Sequence, residues 1–540
     1  MSLPRTVAEI LREHVTLQVE CIDRLYLNGY VPQLQYESGV ARFFRHHRGH
    51  PFASSALMDP ISKGFVAAIH AFVQEQGVPL IAFAKGQRKD DVMAEHLKGF
   101  TAPEGVVFVG RAQEKAPVLR TEKRRNPATG QTYPWLVRST AMVNHFYIYA
   151  VDEDFGPFFL KFGTYFPYNA KLCLNGHEYV KRQLAQRDIA FEALDNGILS
   201  CAEPRRLQAL CDGLSAVKID AFFRKWRARV PHPFTRADRR AGYRYQLSIL
   251  QAEFSLTQVL DRPLSGRLLF EDLIRENLDL GRPDRVQVIF DRRVTRQTPG
   301  RFRTRVVTEG VIPTLHVSYK HSDLKQYLKG LSPAAEGRGL RTELTVNDTR
   351  DFDLGRGLTN LAALRQVGFQ ANRRLLDVQR LSLDGTIGEV TVERIHRPVV
   401  VDGQRAPALR FLDPRVLALL MALVIFRLLP QGFRARDLRR HVAPLLGKAP
   451  SEVSLGQLTY DLRRLRLHGL IERLPKRHRY RVTDTGLRVA LFLPRLWART
   501  VRPGLATIMP EAAVDDSVLR RAFERVEHAM DDWCARKRAA

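Results

Sequence analysis

The spacing of hydrophobic positions changes period several times along the chain. Residues 17–27, LQVECIDRLYL, carry an extended pattern and predict a strand. ISKGFVAAIHAFVQEQG, 61–77, has helical spacing and stops at Gly77. VPLIAFA, 78–84, is a short apolar run expected to be a buried strand, and KDDVMAEHLKGF starts another helix. Helix between strands predicts a small α/β unit over 1–103. From about 105 the segments EGVVFVG, YPWLVRS, NHFYIYAV, GPFFLKFG and NAKLCLN are separated by polar turns and predict an antiparallel, aromatic-rich sheet over 104–200. A helix follows at NGHEYVKRQLAQ, where Asn175 and Glu178 have capping-box spacing.

Residues 204–280 read mainly as helix, broken by the Arg-rich FTRADRRAGYR. Strand patterns return over 285–346 (RVQVIF, RFRTRVVT, TLHVSY, DLKQYLK, LRTELTV), and a helix covers 358–377, which makes 201–400 a mixed α+β basic domain. In 401–505, DPRVLALLMALVIFRLL opens with Asp413 as N-cap and Pro414 at the first helical position. RARDLRRHVAPLLG is a second helix and SLGQLTYDLRRLRLHGLIERL a third. In the third, Leu455, Leu458, Leu462 and Leu465 share one face, with Thr459, Arg463 and Arg466 opposite. A two-stranded hairpin is expected through 471–474 and 479–483, its tip formed by Lys476, Arg477 and His478. Residues 506–540 are expected to add a helix. The fold class is α+β, multidomain.

Composition changes this picture in one respect. With 85 Lys and Arg against 57 Asp and Glu, the 540-residue chain carries +28. Such an excess repels itself in a compact fold and is offset by a polyanion. Nucleic acid is the partner this charge favours. No basic amphipathic anchor stands out, and the longest apolar run, 416–426, is too short to cross a bilayer, so no membrane partner is expected. The five cysteines are odd in number and form no C-x-x-C pair, which argues against a disulfide framework or zinc ribbon and fits a reducing cytoplasm. MSLPRTVAEILREHV has no apolar run behind a basic region, so no signal peptide is expected. No Gly-rich phosphate loop or other small-molecule cofactor motif is evident.

Candidate chemistry concentrates in NHFYIYAVDEDFGPFFLKFGTYFPYN, 144–169, where ten aromatics fall between His145 and Tyr168. The bland reading is a strand buried on both sides. The sharper one stacks unpaired bases of RNA or single-stranded DNA on Tyr147 and Tyr149, with Lys320 and Lys325 as further basic contacts. The acids of VDEDFGP suit a hairpin turn. Alternatively, Asp23, Asp152 and Asp154 would share a Mg²⁺, with Asp90 and Asp91 as further catalytic candidates of a metal-dependent nuclease. FFRHHRGH reads as a basic loop facing phosphate, and Tyr319, Tyr327 and Glu343 offer a strand-transfer tyrosine in a basic strand context.

LTYDLRRLRLHGLIERLPKRHRYRVTDTGLRVA, after two helices, resembles the ending of the winged-helix DNA-binding family over 411–490. That resemblance implies a third helix in the major groove and a wing near the backbone, with Thr459, Arg463, Arg464, Arg466, Lys476, Arg477, His478 and Arg479 as contacts. Between Arg434 and Arg481 there are 13 Lys and Arg against 4 Asp and Glu. Asp23 with AFAKGQRKDD is similar to PIN or flap-nuclease openings. The phrases DEDFGPFFLKF, LCLNGHE and LRTE…ND resemble a group of uncharacterised bacterial proteins, which implies a prokaryotic origin. The expectation is a cytoplasmic, nucleoid-associated protein that grips duplex DNA at one end and RNA or single-stranded DNA elsewhere, as a mobile element, defence system or ribonucleoprotein would require. The alternatives are a nuclease and a transcriptional regulator.

Overall fold

The structure is a computed structural model that describes residues 13–84, 86–194, 196–262, 314–319, 321–329, 338–383, 389–427, 432–475 and 477–497, with single residues at 501, 525 and 528. The strands expected at RVQVIF and RFRTRVVT, and nearly all of the helix expected over 506–540, lie outside the described residues. Two compact units emerge, one from 11–270 with 284–372, the other chiefly from 373–540.

The first unit is built on one ten-stranded sheet. Its strands are β1 (Val15–Tyr30), β2 (Leu80–Ala82), β3 (Gly105–Arg125), β4 (Thr132–Asp152), β5 (Gly156–Gly163), β6 (Ala170–Asn175), β9 (Gln246–Leu260), β10 (Thr314–Tyr319), β11 (Ser322–Lys329) and β12 (Gly339–Val346). β7 (Phe191–Leu194) and β8 (Gly197–Cys201) pair separately. The order is β10-β11-β12-β9-β1-β6-β5-β4-β3-β2, with every ladder antiparallel except β2–β3. The class is therefore mixed α+β. Strands expected in three regions, 1–103, 104–200 and 201–400, enter this single sheet.

Two local expectations fail for identifiable reasons. The segment read as helical in 204–280 contains β9, QLSILQAEFSLTQVL. It lies between β1 and β12 and is buried along most of its length. Burial on both faces erases the period of two, and its Leu, Gln, Ala and Glu are all helix formers. β2 was expected to be buried, yet it is the outermost strand, paired on one side only, and Leu80 is 37% exposed.

Helices cover the sheet. They are α1 (Ser55–Gln76), α2 (Lys89–Lys98), α3 (Gly176–Ala185), α4 (Pro204–Asp212), α5 (Ala216–Arg229) and α6 (Leu361–Leu383). Gly77 ends α1 at φ +62°, the left-handed cap that glycine adopts without penalty. Among the described residues α1 is the one helix long and apolar enough to cross a membrane. One face of it docks on the sheet: Phe65 meets Phe162 and Tyr168 edge-on, and the Ser62 hydroxyl lies 2.8 Å from that of Tyr168. Asn175 caps α3, accepting from the amides of His177 (2.8 Å) and Glu178 (3.2 Å).

The second unit runs α7 (Glu389–His396), β13 (Val399–Val401), β14 (Gln404–Ala406), α8 (Pro414–Arg427), α9 (Ala435–Leu445), α10 (Leu455–Leu467), β15 (Ile471–Arg473), β16 (Tyr480–Val482) and α11 (Asp484–Leu496). Asp413 accepts from the Arg415 amide at 2.8 Å, as the N-cap reading requires. Leu458, Leu462 and Leu465 join one core with Leu419, Leu423, Val442 and Leu487. Leu455 does not; it is 46% exposed in the first turn of α10, before the stripe reaches the core.

Candidate nucleic-acid interface

The sequence around α10 sorts its side chains by charge as well as by polarity. The leucines turn inward, and Asp461 turns inward with them, 2.9 and 2.7 Å from the Arg415 guanidinium on α8. This carboxylate is buried and paired, so it puts no negative charge on the helix surface. The outer face carries Gly456, Thr459, Tyr460 and Arg463, all exposed. Among the described residues Thr459 is tied only to its own helix, its hydroxyl donating to Leu455 O at 2.9 Å. Arg463 has no hydrogen-bond or ion-pair partner among the described residues, whereas Arg464 donates to Ala408 O (2.8 Å) and Arg466 to Gln404 Oε1 (2.9 Å). Of the three arginines read as groove contacts, only Arg463 is free. The other two fasten α10 to the 404–408 segment, a role that helical spacing alone does not reveal.

β15 and β16 form the expected hairpin with slightly shorter strands, and Leu474 N donates to Arg479 O at 2.9 Å to close its turn. Phe433 and Tyr480 bridge to add a third backbone segment. Arg477 and His478 are exposed at the tip, Arg479 is half-buried, and Lys476 lies outside the described residues. The four acids of this segment are all engaged. Asp437 caps α9 through the Arg434 amide (2.9 Å), and Glu452 accepts from the Ala449 amide (2.5 Å). Asp461 holds Arg415, and Glu472 holds Arg481 at 2.6 Å. Arg436, Arg440 and Lys448 stay exposed beside them.

In the first unit the aromatic stretch is core, and the stacking reading of Tyr147 and Tyr149 is corrected. Tyr147 is 5% exposed and Tyr149 3%; they pack with Phe108, Val107 and Met93 beneath α2. Gly110 lets Phe83 lie on the sheet here, since a Cβ would sit 2.2 Å from that ring. The Tyr147 hydroxyl bonds Glu114 and accepts from Lys89 Nζ at 2.6 Å. Burial and the Glu114 carboxylate push that hydroxyl far above the ordinary phenol range. Burial alone would raise Glu114, but Lys161, Tyr147 and Lys89 outweigh it and hold it down to about 2. A cavity of about 580 Å³ opens here, lined by Arg24, Tyr26, Lys89, Asp90, Phe159 and Cys173 among others.

The acids do not assemble. Among the described residues no three His, Cys, Asp or Glu side chains form a group able to hold a metal ion, so Asp23, Asp152 and Asp154 share none. Asp152 makes the turn: its Oδ1 accepts from the amides of Asp154 (2.9 Å) and Phe155 (3.0 Å), with Gly156 following at φ +70°. Its Oδ2 accepts from Lys225 Nζ (2.8 Å) and Trp226 Nε1 (2.7 Å), which anchors α5. Asp154 is exposed and accepts from Gln186 at 3.1 Å. Asp90 and Asp91 sit exposed in the first turn of α2, where carboxylates favour the helix dipole.

Asp23 is fully buried in an irregularity of β1. It accepts from Arg341, from Ser255 Oγ at 2.8 Å and from His177 Nε2. Burial opposes its ionisation, but Arg341 and His177 outweigh burial and hold the carboxyl well below the usual range. Burial likewise opposes a charged His177; the Cys21 sulfur and the Asp23 carboxylate outweigh it and push the imidazole up to about 9. Among the described residues His177 Nδ1 is buried without a hydrogen-bond partner, while Nε2 meets Asp23 and Ser255. This is an internal tie between β1, α3, β9 and β12, and sequence spacing could not show it because its members are 78 to 318 residues apart.

Of the remaining candidates, Lys325, Tyr327, His47 and Arg48 are half-buried. Lys325 stands opposite Glu343 in the β11–β12 ladder, and the Tyr327 hydroxyl donates to Glu343 at 3.1 Å, a structural bond and not a poised nucleophile. Lys320 and the Tyr319 side chain lie outside the described residues. His47 and Arg48, read as a phosphate-facing loop, both bind Asp238 at 2.7 Å. Comparisons with protein-family models, curated proteins and solved structures give no match to this chain.

Proposed function

We propose that this chain binds duplex DNA through α10 and the β15–β16 hairpin, in the manner of a winged helix. The observation that carries this reading is the free outer face of α10: Gly456, Thr459, Tyr460 and Arg463 project together while every acid nearby is engaged elsewhere. A major groove admits one α-helix, and an Arg at its exposed face is the usual partner of a guanine edge. Arg477 and His478 at the hairpin tip suit phosphate, which carries position but no sequence information. The surplus of +28 supports the same partner. Nucleoid association in a prokaryotic cytoplasm, within a mobile element, defence system or ribonucleoprotein, is the setting such a protein fits. The buried, paired carboxylates give nuclease chemistry no support.

The test is duplex binding by fluorescence anisotropy, with a pool of random duplexes and then selected sites, at about 50 and 200 mM salt. Arg463→Ala is expected to weaken selected sites by about 1–3 kcal/mol and flatten preference at one position. Arg477→Ala is expected to weaken all duplexes alike. Equal affinity of the parent and Arg463→Ala for every duplex would overturn the reading.

A further inference from the structure

The β3–β4 hairpin outruns the sheet that holds it. Its ladder runs unbroken from Phe108–Tyr149 to Arg125–Thr132. β5 covers β4 only from His145 to Asp152, and β2 pairs β3 only at Val109–Arg111. Residues 113–125 and 132–144 therefore form a two-stranded ribbon, roughly 40 Å long at the usual rise. Its lower part is propped: Ser55 N donates to Thr121 Oγ1 at 2.7 Å, and Arg138 donates to Glu37 (2.7 Å) and Gln35 O (2.8 Å). Beyond Thr121 and Leu136, the side-chain bonds and ring contacts among the described residues are all internal to the ribbon.

The register sets Arg120, Glu122 and Arg124 opposite Val137, Trp135 and Tyr133, on one face. Trp135 is 45% exposed and Tyr133 40%, their ring centroids 6.3 Å apart, with the Arg124 guanidinium 4.9 Å over the indole. Lys123 and Arg125 are exposed on the opposite face. From 115 to 143 there are six Lys or Arg and one acid, Glu122. Charges alone would be explained as protection of an open strand edge. Two large exposed rings would not, because they undo that protection. Rings with cations alongside are what an unpaired nucleotide needs, a flat face for the base and positive charge for its phosphate. A duplex offers no base faces to stack.

We infer that the outer end of this ribbon docks single-stranded nucleic acid, bases stacking on Trp135 and Tyr133 and phosphates meeting Arg120 and Arg124 on the same face. The inference rests on the nucleic-acid reading above but assigns a second site with a different strand form. Titrating the full-length chain with oligothymidylate should quench tryptophan fluorescence, and Trp135→Phe should remove that quench. The pair Tyr133→Ala with Trp135→Ala should bind oligothymidylate about tenfold more weakly or worse, with duplex affinity held within about twofold and melting unchanged. Arg463→Ala should do the reverse. If the ring variants melt lower, Arg120→Gln with Arg124→Gln, on the ring face, replaces them and should show the same loss. Undiminished oligothymidylate binding in these variants overturns the inference, as does binding without a Trp135 signal. A parent chain that binds duplex but no single strand removes this site and leaves the duplex reading standing; one that binds neither removes both.

Discussion

Replacing Asp23 by Asn separates a structural carboxylate from a catalytic one. The change is isosteric, so it opens no cavity; it removes the charge and turns one of two accepting oxygens into an NH2 donor. Arg341 is fully buried and then loses its principal counter-ion, keeping Asn196 O and, at 3.4 Å, Glu343. His177 and Ser255 lose an anionic acceptor in the same place. Removing one partner of a buried ion pair costs about 3–5 kcal/mol. Against a typical total of about 5–15 kcal/mol this is a large fraction. At about 2 °C per kcal/mol for a large unit, melting should drop by roughly 6–10 °C, read by circular dichroism. Asp154→Asn, on the exposed turn, should stay within about 0.5 kcal/mol of the parent. Adding Arg341→Met to Asp23→Asn should recover part of the loss, because the stranded charge goes with it. A melting temperature unchanged by Asp23→Asn would refute the argument and return Asp23 to the list of catalytic candidates.

The same cluster sets a pH profile for stability, measured by denaturant titration. Because Asp23 is lowered on folding, its contribution should be complete above about pH 4 and fall away below; because His177 is raised to about 9, its contribution should be complete below about pH 6.5 and be lost as pH climbs through 9. In Asp23→Asn the alkaline loss should shrink, and an unchanged alkaline limb would show that another group titrates there. Tyr147→Ala should cost about 3–5 kcal/mol, as large aromatic deletions in cores do, and a soluble variant melting with the parent would restore the stacking reading. Asp152→Asn should cost about 1–3 kcal/mol by weakening the Lys225 and Trp226 anchors, whereas a stable variant would show the turn to be self-sufficient.

What could be read from the sequence was whatever is decided locally. The Asp413–Pro414 helix start, the leucine spacing of α10 from Leu458 to Leu465 and the Asn175 cap each rest on neighbours within one or two turns, and all three stand in the structure, with Leu455 alone falling outside its stripe. β9 was misread because burial on both faces leaves no alternation, and only its position between β1 and β12 decides its state. Tyr147 and Tyr149 illustrate a harder limit. Alternation placed them on one face but could not say that α2 covers that face. The exposed pair, Tyr133 and Trp135, lay in a segment correctly read as strand. Its exposure follows from β5 stopping at Gly163, opposite His145, a fact about sheet geometry that no local pattern encodes.

The placement of acids ties the charge to function more closely than the net value does. An Arg-rich chain could scatter its surplus as a solvated background, with each cation near some carboxylate. Here the acids near the two candidate surfaces are few, and most are withdrawn or engaged. Asp461 is buried against Arg415, Glu472 is bound to Arg481, and Asp437 and Glu452 are spent on backbone amides. At the outer end of the ribbon, 115–143, the one acid, Glu122, lies 4.0 Å from Arg124, and Glu114 at its base is held by Lys89 and Lys161. The two exposed pairs, Glu472–Arg481 and Glu122–Arg124, are worth little to stability, so they do more to cancel negative field than to hold the fold. What remains outward is Arg463, Arg477, Arg436 and Arg440 in one unit and Arg120, Lys123 and Arg125 in the other. A polyanion approaching either surface would meet cations whose acids are already answered, which is the pattern the proposed binding reading requires.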